Sequence, residues 1–146
     1  MPAIALEMTR RTALFLLCAV PSVAADSAAD AWEVITTLAG ALGRGDAGEF
    51  LSMCDTTTAA YAALRVNVPA LLAQAEVESG IDPVQNSGDD RAREVVVDWQ
   101  LQLVDRTALE RITRRRETVK CSMEKRGRKW KAVGIEPLGF FAPMSA

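Results

Sequence analysis

The sequence predicts an α+β domain in which N-terminal helices pack on a curved antiparallel sheet of about four strands. Three observations carry this. Up to Gln74 apolar residues recur at steps of three and four, and from Ala75 the step becomes two. Val95, Val97, Trp99, Leu101 and Leu103 face one way while Glu94, Asp98, Gln100 and Gln102 face the other, the pattern of a half-buried antiparallel strand. Finally, Arg128 to Ile135 reads as a closing strand that meets Pro137 and then an apolar tail, Leu138-Gly139-Phe140-Phe141.

The chain of 146 residues suffices for one domain with a real core. Its composition, 49% hydrophobic and 25% charged, is that of globular protein and argues against a disordered tail. A net charge of -2 gives no general pull toward nucleic acid or anionic membrane. Histidine is absent. That removes the commonest general base and the commonest metal ligand, so neither a metal nor another cofactor is expected.

Residues 1–25 read as an export signal. Arg10-Arg11 precedes the apolar run Ala13 to Val20, and Pro21-Ser22-Val23-Ala24-Ala25 supplies the cleavage region, with Val23 and Ala25 at its two small-residue positions. Cleavage is expected before Asp26, leaving one domain over 26–146 in the periplasm or outside the cell. The apolar run is about ten residues against the roughly twenty of a spanning helix, which argues against a retained membrane anchor. The paired arginines also permit a twin-arginine route, though Thr12-Ala13-Leu14 matches it loosely. Leu17 stands where a small residue would precede a lipidated Cys18.

Asp26-Ser27 offers caps for a first helix whose stripe is Trp32, Ile35, Leu38, Ala39 and Leu42, ending at Gly43 and Gly45. Asp46 followed by Glu49 resembles a capping box for a second helix running to about Asp55, with Ala47, Phe50, Leu51 and Cys54 inward. Ala59 to Leu64 reads as a short helical piece, and Pro69 to Gln74 as another that opens on its proline.

In the first strand Val77, Ser79 and Ile81 alternate with Glu76, Glu78 and Gly80, and Pro83 marks an edge or a bulge. Asn86 to Asp90 is a turn. After the Val95–Leu103 strand, Asp105 to Glu110 leads to a third strand with Val119, Cys121 and Met123 inward. Arg126-Gly127-Arg128 turns into the last strand. There Trp130 and Ala132 oppose Val133 and Ile135, so both faces are partly apolar. Either a bulge shifts the register, or a partner, such as a second copy in a homodimer, covers the outer face.

This order of elements resembles the NTF2-like superfamily, the cone-shaped α+β group that includes SnoaL-like and ketosteroid-isomerase-like proteins. Two stretches carry the likeness: Leu42-Gly43-Arg44-Gly45-Asp46-Ala47-Gly48-Glu49-Phe50-Leu51, similar to the junction of the first two helices, and Gly127 to Pro137, similar to the last hairpin. The group spans isomerases, dehydratases, hydrolases, transport adaptors and binding domains, so the likeness implies a fold and not an activity. In its isomerases an acidic base and a hydrogen-bond donor meet inside the cone. The corresponding weak candidates for catalysis here are Asp55, Tyr61 and Asp98, and no motif assigns them a role. Alternation points Asp98 away from the helices, and Asp55 closes a helix.

A basic run extends from Arg111 through Arg114, Arg115, Arg116, Lys120, Lys125, Arg126, Arg128 and Lys129 to Lys131. It reads as the solvated face of a hairpin interleaved with Glu110, Glu117 and Glu124, ahead of an anion-binding surface. Nucleic acid is not expected, since no alternating aromatics are present to stack bases. With the signal removed, Cys54 and Cys121 are the remaining cysteines, both on inward faces, and are candidates for a disulfide. The leading reading is a non-catalytic domain binding a small apolar ligand or a protein. Its expected pocket lies at the cone mouth, formed by Tyr61, Leu64, Trp99 and Phe140. The alternatives are a cofactor-independent isomerase or dehydratase and a purely structural dimerisation module.

Overall fold

A computed structural model describes residues 21–145, with side chains from Asp26 onward. The expected export signal therefore lies outside the described residues, except that residues 21–25 lengthen the first helix. Helices α1 (Pro21–Arg44), α2 (Ala47–Ser52) and α3 (Ala59–Gln74) precede strands β1 (Ala75–Gly88), β2 (Ala92–Asp105), β3 (Ile112–Arg126) and β4 (Lys129–Glu136). A 3-10 turn, Leu138–Phe141, closes the chain. The strands form one antiparallel sheet in the order β1-β2-β3-β4. No helix among the described residues is long and apolar enough to cross a membrane.

Helix α1 does not begin at Asp26-Ser27. It runs through both, and its described part opens at Pro21. Ile35, Leu38, Ala39 and Leu42 are buried as the stripe requires, joined by Ala31 and Val34, while Trp32 is only partly covered. The helix stops at Gly45, whose φ of 69° is left-handed. There Gly45 N–H donates to Leu42 O at 3.1 Å and Asp46 N–H to Ala41 O at 2.9 Å, the paired bonds of a Schellman stop.

Asp46 then caps α2 by accepting from Glu49 N–H at 2.9 Å. The helix ends at Ser52, short of the expected Asp55. Its continuation is captured by the edge of β4: Ala132 N–H donates to Met53 O, and Asp55 N–H to Ala132 O, both at 2.9 Å. Cys54 thus sits as a parallel bridge beside Ala132. Helix α3 is one helix where two pieces are expected, and Pro69 lies inside it. Pro69 and Arg65 are both exposed, so the carbonyl that loses its donor at Pro69 lies on the solvent side of the helix. Leu64, Val68, Leu71 and Leu72 bury the opposite face and hold the two halves in line.

The inward ladder is as alternation predicts. Val95, Val97, Trp99, Leu101 and Leu103 of β2 are buried, with Val119, Cys121 and Met123 of β3 beside them. Two irregularities bend the sheet. In β1, Pro83 pairs Val97 and Gln85 pairs Val96, so Val84 is the extra residue of a bulge. In β4, Ala132 pairs Met123 and Gly134 pairs Ser122, so Val133 is the extra residue. This second bulge puts Trp130, Ala132 and Ile135 on one buried face. It accounts for the doubly apolar strand, and the sequence reason for a covering second copy falls away.

Inside the curve the helices and the tail meet the ladder. Phe141 lies 5.1 Å from Trp99 and 5.6 Å from Phe50, ring centre to ring centre, and Phe140 lies 5.1 Å from Phe141. Offset and edge-on rings at such spacings attract beyond their buried area.

Candidate functional site

Of the residues expected to line one pocket, three are packed together inside the core. Leu64, Trp99 and Phe140 are 1%, 0% and 4% exposed and belong to the filled core. Trp99 lies against both Phe140 and Phe141 and donates its Nε1–H to Ser79 Oγ at 2.9 Å. The aromatic tail plugs the cone, so these side chains reach no open cavity. Only Tyr61 stays at the surface, half-buried at the first turn of α3.

Tyr61 opens onto a cleft of about 740 Å³ between α2, the loop to α3 and the β3–β4 hairpin. Leu51, Cys54, Asp55, Thr57, Arg126 and Lys131 are among its walls. Local chain chemistry builds it. Thr58 caps α3 by accepting Tyr61 N–H at 3.1 Å, which fixes where the ring begins. Lys131 donates to Ser52 O at 2.5 Å and ties the hairpin to the end of α2.

Asp55 stands at the centre of this wall and is fully committed. Its Oδ1 accepts Thr57 N–H at 2.9 Å and Thr57 Oγ1–H at 2.6 Å, and its Oδ2 accepts Arg126 Nε–H at 2.9 Å. Thr57's bonds, then Arg126, hold its pKa down at about 2. A carboxylate so stabilised is a poor proton acceptor near neutral pH. Asp98 is no better placed. It lies on the outer face, paired with Arg116 by two bonds at 2.7 and 3.2 Å, and that partner lowers its pKa. Neither carboxylate therefore has the raised pKa of a general base. The Tyr61 hydroxyl makes no hydrogen bond among the described residues.

Cys54 and Cys121, the candidates for a disulfide, stand here as two buried free thiols. Burial pushes their pKa values up to about 11 and about 12. They pack as small apolar groups, with Cys54 Sγ–H 3.7 Å from Phe50 O. Among the described residues no group of three or more Cys, Asp or Glu is placed to hold a metal.

Much of the basic run meets carboxylates: Arg116 with Asp98, Lys120 with Glu94, Arg111 with Asp105 and Arg126 with Glu124 within the sheet, and Arg126 also with Asp55 of the loop after α2. Arg115 differs. It pairs with buried Leu101 and turns toward the core side of β3, where its Nη1–H donates to Phe140 O at 2.9 Å and Ala142 O at 2.6 Å. The signal for it was present in the sequence. Stepping back by twos from Val119 brings Arg115 onto the inward face.

No protein-family model matches this chain, and no curated protein does. Solved structures do match. A candidate aromatic ring hydroxylase from Novosphingobium aromaticivorans is 10% identical, with 75% of this chain and 86% of that one superposed at a TM-score of 0.65. A protein of unknown function from Mycobacterium tuberculosis is 8% identical over 73% of this chain and 67% of its own, at 0.61. A designed NTF2-like protein, Rd1NTF2_05, is 13% identical over 72% and 93%, at 0.50. At such identities the likeness is one of fold, and the fold is NTF2-like.

Proposed function

We propose that this chain is an exported, non-catalytic NTF2-like domain that holds a small apolar ligand in the cleft beside Tyr61. The observation that carries the reading is the contrast within one wall. Asp55 accepts from Thr57 and Arg126, whereas the Tyr61 hydroxyl, next to the apolar Leu51, has no hydrogen-bond partner among the described residues. Such a wall orients a ligand by one hydrogen bond and contributes area for the rest. It has no proton acceptor tuned for chemistry.

Export rests on the order of charge, apolar run and small residues before Asp26. Cleavage there would leave α1 starting at Asp26-Ser27, ahead of its first buried apolar residue, Ala31. N-terminal sequencing of protein recovered outside the cytoplasm is expected to begin at Asp26, and an intact Met1 would overturn export.

The ligand reading is tested with a panel of small apolar alcohols, ketones and phenols, scored by melting temperature on wild type and Tyr61→Phe. Hits are expected to weaken about fivefold in the variant, the worth of one hydrogen bond of about 1 kcal/mol. No hit, or hits indifferent to Tyr61, would overturn the cleft. Turnover that Asp55→Asn abolishes would favour the isomerase or dehydratase reading instead.

A further inference from the structure

We propose that a second cavity, at the start of β3, is a binding site for a small organic carboxylate, with Arg115 as its anchor. Four observations lead there, and none involves the Tyr61 cleft.

The first is the reach of β4. Its pairing with β3 begins only at Lys120, opposite Glu136. The half of β3 from Ile112 to Val119 therefore has no strand on that side. The C-terminal tail crosses there instead, clamped by Gln74: Met144 N–H donates to Gln74 Oε1 at 2.6 Å, and Gln74 Nε2–H to Met144 O at 3.2 Å. Between tail, α3 and β3 lies a cavity of about 610 Å³, lined by Gln74, Thr107, Arg111, Thr113, Arg115 and Met144 among others. Its walls are thus fixed before any ligand arrives.

The second is donor accounting. Arg115 uses Nη1 alone, on Phe140 O and Ala142 O. Its Nε–H and Nη2–H have no acceptor among the described residues. Arg93, the other inward arginine of the sheet, is a contrast. Its Nε, Nη1 and Nη2 all donate, to Asn86 Oδ1, Asp89 O and Asn86 O. One arginine of the pair is satisfied by the fold, and one keeps an edge without an acceptor among the described residues.

The third is charge accounting. Arg115 has no carboxylate within 4.0 Å among the described residues. Asp105 is the carboxylate of the cavity wall, and it is engaged: Oδ1 accepts from Thr107 N, Thr107 Oγ1 and Ala108 N, and Oδ2 lies 3.8 Å from Arg111. Glu117 is on the same strand and is exposed, without an ion pair among the described residues. Burial lowers the pKa of Arg115, as expected for a cation drawn from water without a counter-ion.

The fourth is geometry. The open Nε–Nη2 edge of a guanidinium presents two parallel N–H groups, which match the two oxygens of a carboxylate. Arg111, whose charge is shared with Asp105, and Thr113 stand on the same wall as further donors. The Met144 side supplies apolar surface for the body of the ligand.

The test is an amide chemical-shift titration of the folded chain with benzoate, with benzamide as its neutral isostere. Benzoate is expected to shift Thr113, Arg115 and Gln74, and benzamide to bind at least tenfold more weakly. Arg115→Gln is expected to lose at least tenfold in benzoate affinity, and Arg115→Lys to recover part of it. Tyr61→Phe is expected to bind benzoate as wild type does, which separates this site from the cleft. Equal binding of benzamide, or unchanged benzoate binding by Arg115→Gln, would overturn the proposal. So would inorganic phosphate displacing benzoate at a lower concentration than benzoate itself needs. If Arg115→Gln releases the tail, Arg111→Gln decides: a loss of threefold or more supports the site, and no loss overturns it.

Discussion

Asp55 and Arg126, 71 residues apart in sequence, meet at 2.9 Å and join the loop after α2 to the end of β3. The pair closes one side of the Tyr61 cleft. It also decides the chemistry of that wall, because the arginine and Thr57 together keep the carboxylate ionised.

That contact makes stability depend on pH in a defined window. The Asp55 pKa is lowered from 3.8 to about 2 by folding. Its contribution is therefore fully present above about pH 4 and is lost as pH falls through about 2. Melting curves of wild type and Asp55→Asn are expected to differ most above pH 4 and to converge near pH 2. Parallel curves across that range would show that the pair is not formed in solution.

Gly88 ends β1 with a φ of 136°. A Cβ there would stand 2.3 Å from Ala92 O and 2.7 Å from Arg93 Cα. Gly88→Ala is expected to cost about 3 kcal/mol, combining strain and collision. Gly127→Ala is the control, since its φ of 64° is strained but nothing lies within 4 Å of its Cβ. It is expected to cost about 1 kcal/mol. Urea denaturation of the two variants measures the difference.

The two buried tryptophans should respond differently to loss of the indole nitrogen. Trp99 donates to Ser79 Oγ, whereas Trp130 Nε1 is buried with no partner among the described residues. Trp99→Phe leaves Ser79 without its donor and opens space in the aromatic plug. It is expected to cost about 1 kcal/mol more than Trp130→Phe, which removes a donor that had no acceptor. Urea midpoints in which Trp130→Phe is the weaker variant would contradict this.

Both thiols are buried and their pKa values are raised. Iodoacetamide at pH 8 is expected to leave the folded chain unmodified at Cys54 and Cys121, and to label both after denaturation without reductant. Labelling that needs reductant, read by intact mass, would reveal the disulfide that the sequence suggested.

The inward ladder was legible because Val95 to Leu103 alternates with polar partners, and a one-residue slip would have inverted it. The Asp46 cap was legible from Asp46 and Glu49 alone. What escaped the sequence depends on contacts between distant segments. The end of α2 is set by Ala132, and the unity of α3 by the burial of Val68, Leu71 and Leu72 around Pro69. The last strand showed that a bulge or a cover was needed, and only pairing with Met123 and Ser122 reveals Val133 as the extra residue. Within the site, Asp55 could be named from the sequence. That its proton affinity is suppressed follows from Arg126, which no local pattern connects to it.

The aromatic plug has a consequence in time. Trp99 and Phe50 are sealed by Phe140 and Phe141, which belong to the last element described. A ribosome delivers the helices and the first three strands before that seal exists. Until Phe140 and Phe141 dock, the concave face stands open with the Trp99 indole unsealed. Closure is thus a late event in the life of each molecule, and a chain interrupted before Phe140 carries an exposed apolar hollow in place of a core.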